Sequence, residues 1–183
     1  MSPAPLELAI VLASTPQGSV GPRIATWLLD HLGRWDGFAA ELVDLADIAA
    51  DPDRFRKLID GADAVVIVVP EYNHSFPGAL KTAIDDLRRE WFATPVGVVS
   101  YGGISGGLRA TEQLRLVLAE LHAVVIRETV SFHGADAAFD ATGRPRDPGV
   151  DRAADQFLTV LAWWARNLRR ARDEDPYPPL TGV

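Results

Sequence analysis

The sequence predicts an α/β fold in three layers: a five-stranded parallel sheet in the order 2-1-3-4-5 with helices on both faces. Three observations carry this. Five short apolar segments alternate with helical or loop segments between Leu6 and Arg170, the pattern of a parallel sheet wrapped by crossover helices. One of them, Ala64 to Val69, is apolar at every position and rich in valine, as a central strand buried on both faces must be. The segments suited to ligands directly follow strands 1, 3 and 4. In this strand order ligands bind outside the carboxyl ends, near the switch between strands 1 and 3.

The 183 residues read as a single domain, 1–183, long enough to bury a core without staples, with a loose tail at 172–183. A net charge of -7 leaves no basic footprint for nucleic acid. No apolar run approaches the length of a membrane span and the N-terminus lacks a secretory signal, so no membrane partner and a cytoplasmic location are expected. There is no cysteine, which excludes disulfides, thiolate catalysis and cysteine-held metals. His31, His74, His122 and His133 form no metal-binding spacing. No metal site is therefore expected, and any redox chemistry falls to a bound organic cofactor.

The first strand, Leu6 to Ala13, runs into a hydroxyl- and glycine-rich loop from Ser14 to Gly21. A helix follows, with Pro22 in its first turn and Ile24, Trp27, Leu28 and His31 on one face. Free amides and the helix dipole suit such a loop to a phosphate. It is neither a Walker loop nor a Rossmann fingerprint. Phe38 to Leu45 reads as the second strand, with a helical segment around Arg54 to Ile59. After the central strand a helix is expected from Pro77 to Arg89, with Trp91 and Phe92 as core or subunit contacts.

Thr94 to Ser100 is the fourth strand, followed by Tyr101 and a loop in which Gly102, Gly103, Gly106 and Gly107 imply unusual dihedrals or a close approach. The next helix shows Leu114, Val117, Leu118 and Leu121 on one face, and His122 reads as a helix-end residue. Val124 to Phe132 is the fifth strand and His133 to Gly149 a loop. The last helix, Asp151 to Arg170, has one stripe of Ala154, Phe157, Leu161, Trp164 and Leu168 for the sheet. A second stripe starts at Val160 and Trp163, which predicts a homodimer or homotetramer.

The most informative stretch is Pro70 to Asp85, PEYNHSFPGALKTAID. Pro70 stops the strand, Tyr72 offers an aromatic face and Asn73 a two-way amide. Pro77 sits where a helix can begin, and Lys81 and Asp85 share a helical face. By itself this is a binding loop at the carboxyl end of a parallel strand. The string resembles the PEYN-x-S-x-PG-x-LK-x-A-x-D signature of the NADPH-dependent FMN reductase family, flavodoxin-like proteins that include quinone, azo-dye and chromate reductases. Thr82 stands where Asn is expected. Weaker similarity runs from Leu6 to about Leu168.

The resemblance implies an FMN-dependent oxidoreductase that passes hydride from NADPH or NADH, through the flavin, to a small electron acceptor. It implies a flavodoxin-like fold and assigns the FMN phosphate to Ser14, Thr15, Gln17, Ser19 and Val20. The flavin ring would lie against the backbone of Pro70, Glu71, Tyr72 and Asn73, with Tyr72 as its wall, and its pyrimidine end would meet the amides of Tyr101, Gly102 and Gly103, beside Ser100. No side-chain acid or base is required. One departure stands out: Ala13, Pro16 and Ser19 replace the Gly, Arg and Arg of the family's GSxRxxR pattern, with Arg23 as a substitute cation. Rival readings are an FMN-binding electron carrier, a relative of the fold that has lost flavin, and a serine hydrolase built on Ser105 in Gly103-Ile104-Ser105-Gly106-Gly107.

Overall fold

Two strands without a single exposed residue form the centre of the molecule: β3 (Ala64–Pro70) and β4 (Pro95–Tyr101). The computed structural model describes residues 4–14, 18–48 and 50–178. Around that centre lie β1 (Leu6–Leu12), β2 (Phe38–Asp44) and β5 (Val124–Phe132), giving one sheet in the order β2-β1-β3-β4-β5 with every pairing parallel. This is the flavodoxin-like arrangement expected from the sequence.

Each face of the sheet carries its own core. On one side α1 (Gly21–Leu32) and α6 (Gly149–Glu174) cover the sheet, burying Ile24, Leu28, Phe157 and Leu161. On the other lie α3 (Pro52–Gly61), α4 (Gly78–Asp85) and α5 (Leu108–Glu120), which bury Phe55, Ile59, Leu80, Leu114 and Leu118. A single turn of helix, α2 (Leu45–Ile48), follows β2. Local chemistry sets the helix starts. Pro22 occupies the first turn of α1, and the Asp51 carboxylate accepts the Arg54 amide at 3.0 Å ahead of α3.

Two boundaries differ from the sequence expectation by four residues, the rest by one or two at most. The helix after Pro77 ends at Asp85 rather than Arg89, because the chain turns through a 3-10 segment, Arg89–Trp91, that sinks Trp91 into the core. There its indole N–H donates to the Ile84 carbonyl at 3.1 Å. At the other end α6 runs on to Glu174, so the expected start of the tail at 172 falls inside the helix. The reason is a polar clamp. Buried Asp63 accepts from the Glu7 amide and from Arg169, both at 2.9 Å, and Arg172 donates to the Ala93 carbonyl at 2.8 Å. Beyond the helix, Tyr177 packs on Phe92 and His122. Of the second stripe on α6, Val160 packs against the core, while Trp163 is 53% exposed.

The contact that seats α6 on the sheet is tight. A Cβ added at Gly97 of β4 would fall 2.4 Å from the Phe157 ring, so only glycine lets the helix come this close. Gly97→Ala is expected to destabilise the protein by about 1–3 kcal/mol through overpacking. Phe157→Leu in the same background should recover part of that loss. Urea unfolding of the wild type and the two variants would check both.

Candidate active site

The carboxyl ends of β1, β3, β4 and β5 open into one cleft of about 510 Å³. A groove of similar size, about 500 Å³, runs beside β1, β2 and α3, but Arg54 there already pairs with Glu41 at 3.1 Å. Among the described residues, the buried side-chain polar atoms that lack a partner are both in the first cleft: Ser14 Oγ and the Tyr101 hydroxyl. A buried hydroxyl without a partner is costly, so two of them together mark a place built to receive polar groups.

Ser14 lies two residues past the end of β1, and Tyr101 is the last residue of β4. Tyr101 reaches across to the start of α1, where a Cβ at Gly21 would stand 2.6 Å from its hydroxyl oxygen. Glycine is therefore what admits the phenol to the helix N-terminus. Burial pushes the Tyr101 phenol up, and the nearby Ser14 and Ser19 hydroxyls only partly offset that. It remains a neutral donor across the physiological range.

The loop after β3 is a two-residue hairpin. Tyr72 and Ser75 exchange backbone hydrogen bonds of 2.8 and 2.9 Å, and Asn73 and His74 take φ of 50° and 67°. Two successive positive φ values make this a type I′ turn, which asparagine favours. Asn73 is thus at the exposed tip of the turn, next to Tyr72 and outside the residues that line the cleft. Tyr72, 38% exposed, does line the cleft. Glu71 borders it, but its carboxylate is taken by Arg109, whose guanidinium donates at 2.8 Å and whose backbone amide donates at 3.1 Å. Burial would raise this carboxyl; hydrogen bonds from Ser105 and Arg109, with the guanidinium charge, outweigh it and hold the group below the usual carboxylate range.

In the glycine loop after β4 the carbonyls are tied back. Those of Gly102 and Gly103 accept the amides of Ala135 and Gly134 at 3.1 and 2.9 Å, and that of Ile104 faces His133 Nδ1 at 2.9 Å. The Gly106 carbonyl accepts from the Ser100 and Ser131 hydroxyls at 2.9 and 2.7 Å. The bend itself requires glycine at 107, with φ of 84° and a Cβ position 2.6 Å from the Tyr101 nitrogen. Ser100 is accordingly a brace for the loop, fully buried and outside the residues that line the cleft. The Gly102 amide is also spent, on the Phe132 carbonyl at 3.2 Å. Among the described residues, Gly103 and Ile104 keep amides without a partner. Of the expected row of amides from Tyr101 to Gly103, that of Gly103 stays without a partner among the described residues.

Of the remaining expected residues, Ser19, Val20 and Pro70 line the cleft with those above, while Thr15 and Gln17 lie outside the described residues. A fourth wall, Gly134 to Ala137 after β5, was not expected. Its signal was positional only: it follows a parallel strand. The hydrolase reading loses its base, since His133 directs Nδ1 at the Ile104 carbonyl and Nε2 at the Ser131 hydroxyl rather than at Ser105. His122 sits beyond the far end of α5 beside Tyr177.

The model of the NADPH-dependent FMN reductase family matches residues 6–137. The chain belongs to this family. It is 34% identical over 149 residues to an NAD(P)H-dependent FMN reductase of Pseudomonas aeruginosa, covering 69% of this chain and 80% of that one. To a quinone reductase of Pseudomonas putida it is 31% identical over 176 residues, covering 84% and 93%. The match to an NAD(P)H-dependent FMN reductase of Schizosaccharomyces pombe, 32% identical over 120 residues, spans 55% of this chain and 60% of that protein. Among solved structures, FerB of Paracoccus denitrificans, a flavoenzyme NAD(P)H:(acceptor) oxidoreductase, shares the fold with a TM-score of 0.71 at 23% identity, covering 88% of this chain and 98% of that one. Membership makes this protein an oxidoreductase of the type that works with FMN and NAD(P)H.

The cleft fits that cofactor. Unpartnered hydroxyls at the head of α1 suit a phosphate and ribityl chain, Tyr72 offers a flat wall, and Gly103 brings an unpartnered amide to the cleft lining. Tyr101→Phe removes a hydroxyl that has no protein partner. The apo protein should keep its stability within about 1 kcal/mol or gain slightly, while FMN affinity falls, measured by quenching of flavin fluorescence. A Tyr101→Phe variant that binds FMN as the wild type does would remove the hydroxyl from the cofactor's contacts.

Proposed function

We propose that this protein passes hydride from NADPH or NADH to a small electron acceptor through FMN held in the cleft after β1, β3, β4 and β5. The observation that carries the reading is the pair of buried, unpartnered hydroxyls of Ser14 and Tyr101 at the foot of a cleft walled by the expected loops. FMN, when bound, supplies a ring that accepts a hydride from one substrate and returns it to another. The chain's own groups bind and orient. Ser14, Ser19 and Tyr101 hold the phosphate and ribityl arm. With Pro16 and Ser19 in place of arginines, the nearest cation on the first turn of α1 is Arg23, whose guanidinium lies 6.0 Å from the Phe139 ring centroid. Tyr72 bounds one side of the ring. The amides of Gly103 and Ile104 offer fixed dipoles to the pyrimidine edge, where negative charge gathers on reduction; such dipoles in a dry site are worth far more than in water.

One cleft serving two substrates in turn implies alternating reaction. The donor leaves before the acceptor enters, so no side-chain acid or base need move between them. A quinone is the acceptor class favoured here, because relatives include a quinone reductase of Pseudomonas putida and a 2-hydroxy-1,4-benzoquinone reductase of Burkholderia. Two electrons leave the nicotinamide and two reach the quinone, with a proton from solvent completing the hydroquinone. Among the described residues no helix is long and apolar enough to cross a membrane. The reading carries a cytoplasmic location, where nicotinamide donors are supplied, and a homodimer or homotetramer using the α6 face that exposes Trp163.

The purified protein should show a flavin spectrum with added FMN that bleaches anaerobically on addition of NADPH or NADH, the faster nucleotide naming the donor. Initial rates against both substrates should give parallel double-reciprocal lines. Flavin that stays yellow with both nucleotides would favour the electron carrier, and no flavin binding would end the cofactor assignment. Intersecting lines would end the alternating scheme.

A further inference from the structure

Glu71 and Gln113 join two walls of the cleft that the sheet alone would leave independent. Glu71 belongs to the turn after β3, and its amide donates to the Tyr101 carbonyl at 3.0 Å. Its carboxylate, with the side chain only 8% exposed, is held by the Arg109 guanidinium and backbone amide in the first turn of α5. One helical turn on, Gln113 donates its side-chain amide to the His74 carbonyl at 2.8 Å and accepts the Ser75 hydroxyl at 2.5 Å. Arg109 and Gln113 are four residues apart, on one face of the helix. They grip the 71–75 turn at both of its ends.

The helix that does the gripping begins where the glycine loop ends, at Gly107. Thus the turn that carries Tyr72 and the loop that carries the Gly103 and Ile104 amides are fastened to the same rigid element. We propose that Glu71 and Gln113 are positioning residues that lock the Tyr72 turn and the 102–107 loop into one jaw around the flavin ring. The inference rests on the FMN reading above. Neither side chain is assigned a contact with the ring. Their effect is to fix the distance between an aromatic wall and a row of dipoles, and such preorganisation favours the reduced, negatively charged ring over the oxidised one.

Glu71→Gln keeps the shape of the side chain but cannot accept from both Arg109 donors, and Gln113→Ala releases the far end of the turn. Hydrogen exchange on the apo proteins should quicken at 71–75 and 102–109 in both variants, with urea midpoints close to wild type. FMN affinity should fall about ten-fold. The midpoint potential of the bound flavin should become more negative by about 30 mV, which is a ten-fold loss of preference for the reduced form in a two-electron couple. Arg54→Ala, at the remote pair with Glu41, should change none of these. Unchanged exchange in the apo variants would overturn the latch. Equal loss of affinity for oxidised and reduced flavin would overturn its role in positioning. A wild-type protein that binds no FMN would instead overturn the functional reading, and the apo exchange comparison would still decide whether the two walls are locked.

Discussion

Burial of β3 and β4 on both faces is the constraint from which the rest of the structure follows. Strands enclosed by helices above and below must be apolar along their length, and their backbone groups are consumed by the parallel ladders on either side. Such strands have no polar side chain to spare for chemistry until their last residues. At that edge the ladder stops, and Ser100, Tyr101 and Glu71 appear within two residues of the strand ends. The same burial fixes the helices. Gly97 lets Phe157 touch the sheet, and Asp63 anchors the far end of α6 through Arg169 and Arg172.

A site made of loops at a strand edge has to be stiffened by something other than the sheet. Here the stiffening is done with hydrogen-bond acceptors. Four carbonyls of the 102–107 loop are engaged by neighbours from β4, β5 and the loop after β5. What remains free among the described residues are donors, the amides of Gly103 and Ile104 among them. A net charge of -7 would repel an anionic ligand at long range, so local dipoles and the head of α1 have to provide the attraction. The missing arginines of the first loop make that local arrangement more important.

The sheet order and most element boundaries were legible because they depend on patterns within one segment: a run of valines, a proline at a helix start, a stripe of leucines. The two boundaries that moved furthest depend on long-range contacts. Trp91 ends its helix early by reaching the Ile84 carbonyl from the core, and Arg172 extends α6 by reaching Ala93. Neither leaves a local mark in the sequence. In the site, loops after strands 1, 3 and 4 announced themselves by composition. The wall from Gly134 to Ala137 did not, since a small-residue loop looks the same whether or not it meets a ligand.

The PEYN stretch shows why a motif overstates the number of ligand contacts. Within Pro70 to Asp85, Pro70 and Tyr72 face the cleft, while Asn73 serves the turn through its positive φ. Glu71 and Ser75 brace against α5, and Pro77 caps the start of α4. Lys81 and Asp85 form an exposed ion pair at 2.5 Å on one helical face, worth about 0.3–0.5 kcal/mol. One string of side chains thus does five different jobs, and sequence spacing alone cannot separate them. The separation comes from where each side chain's partner lies: across the cleft, within the turn, or on the neighbouring helix. In Glu71 the distinction matters most, because a carboxylate beside an anionic ligand would oppose binding, whereas one paired with the Arg109 guanidinium can border the cleft without doing so.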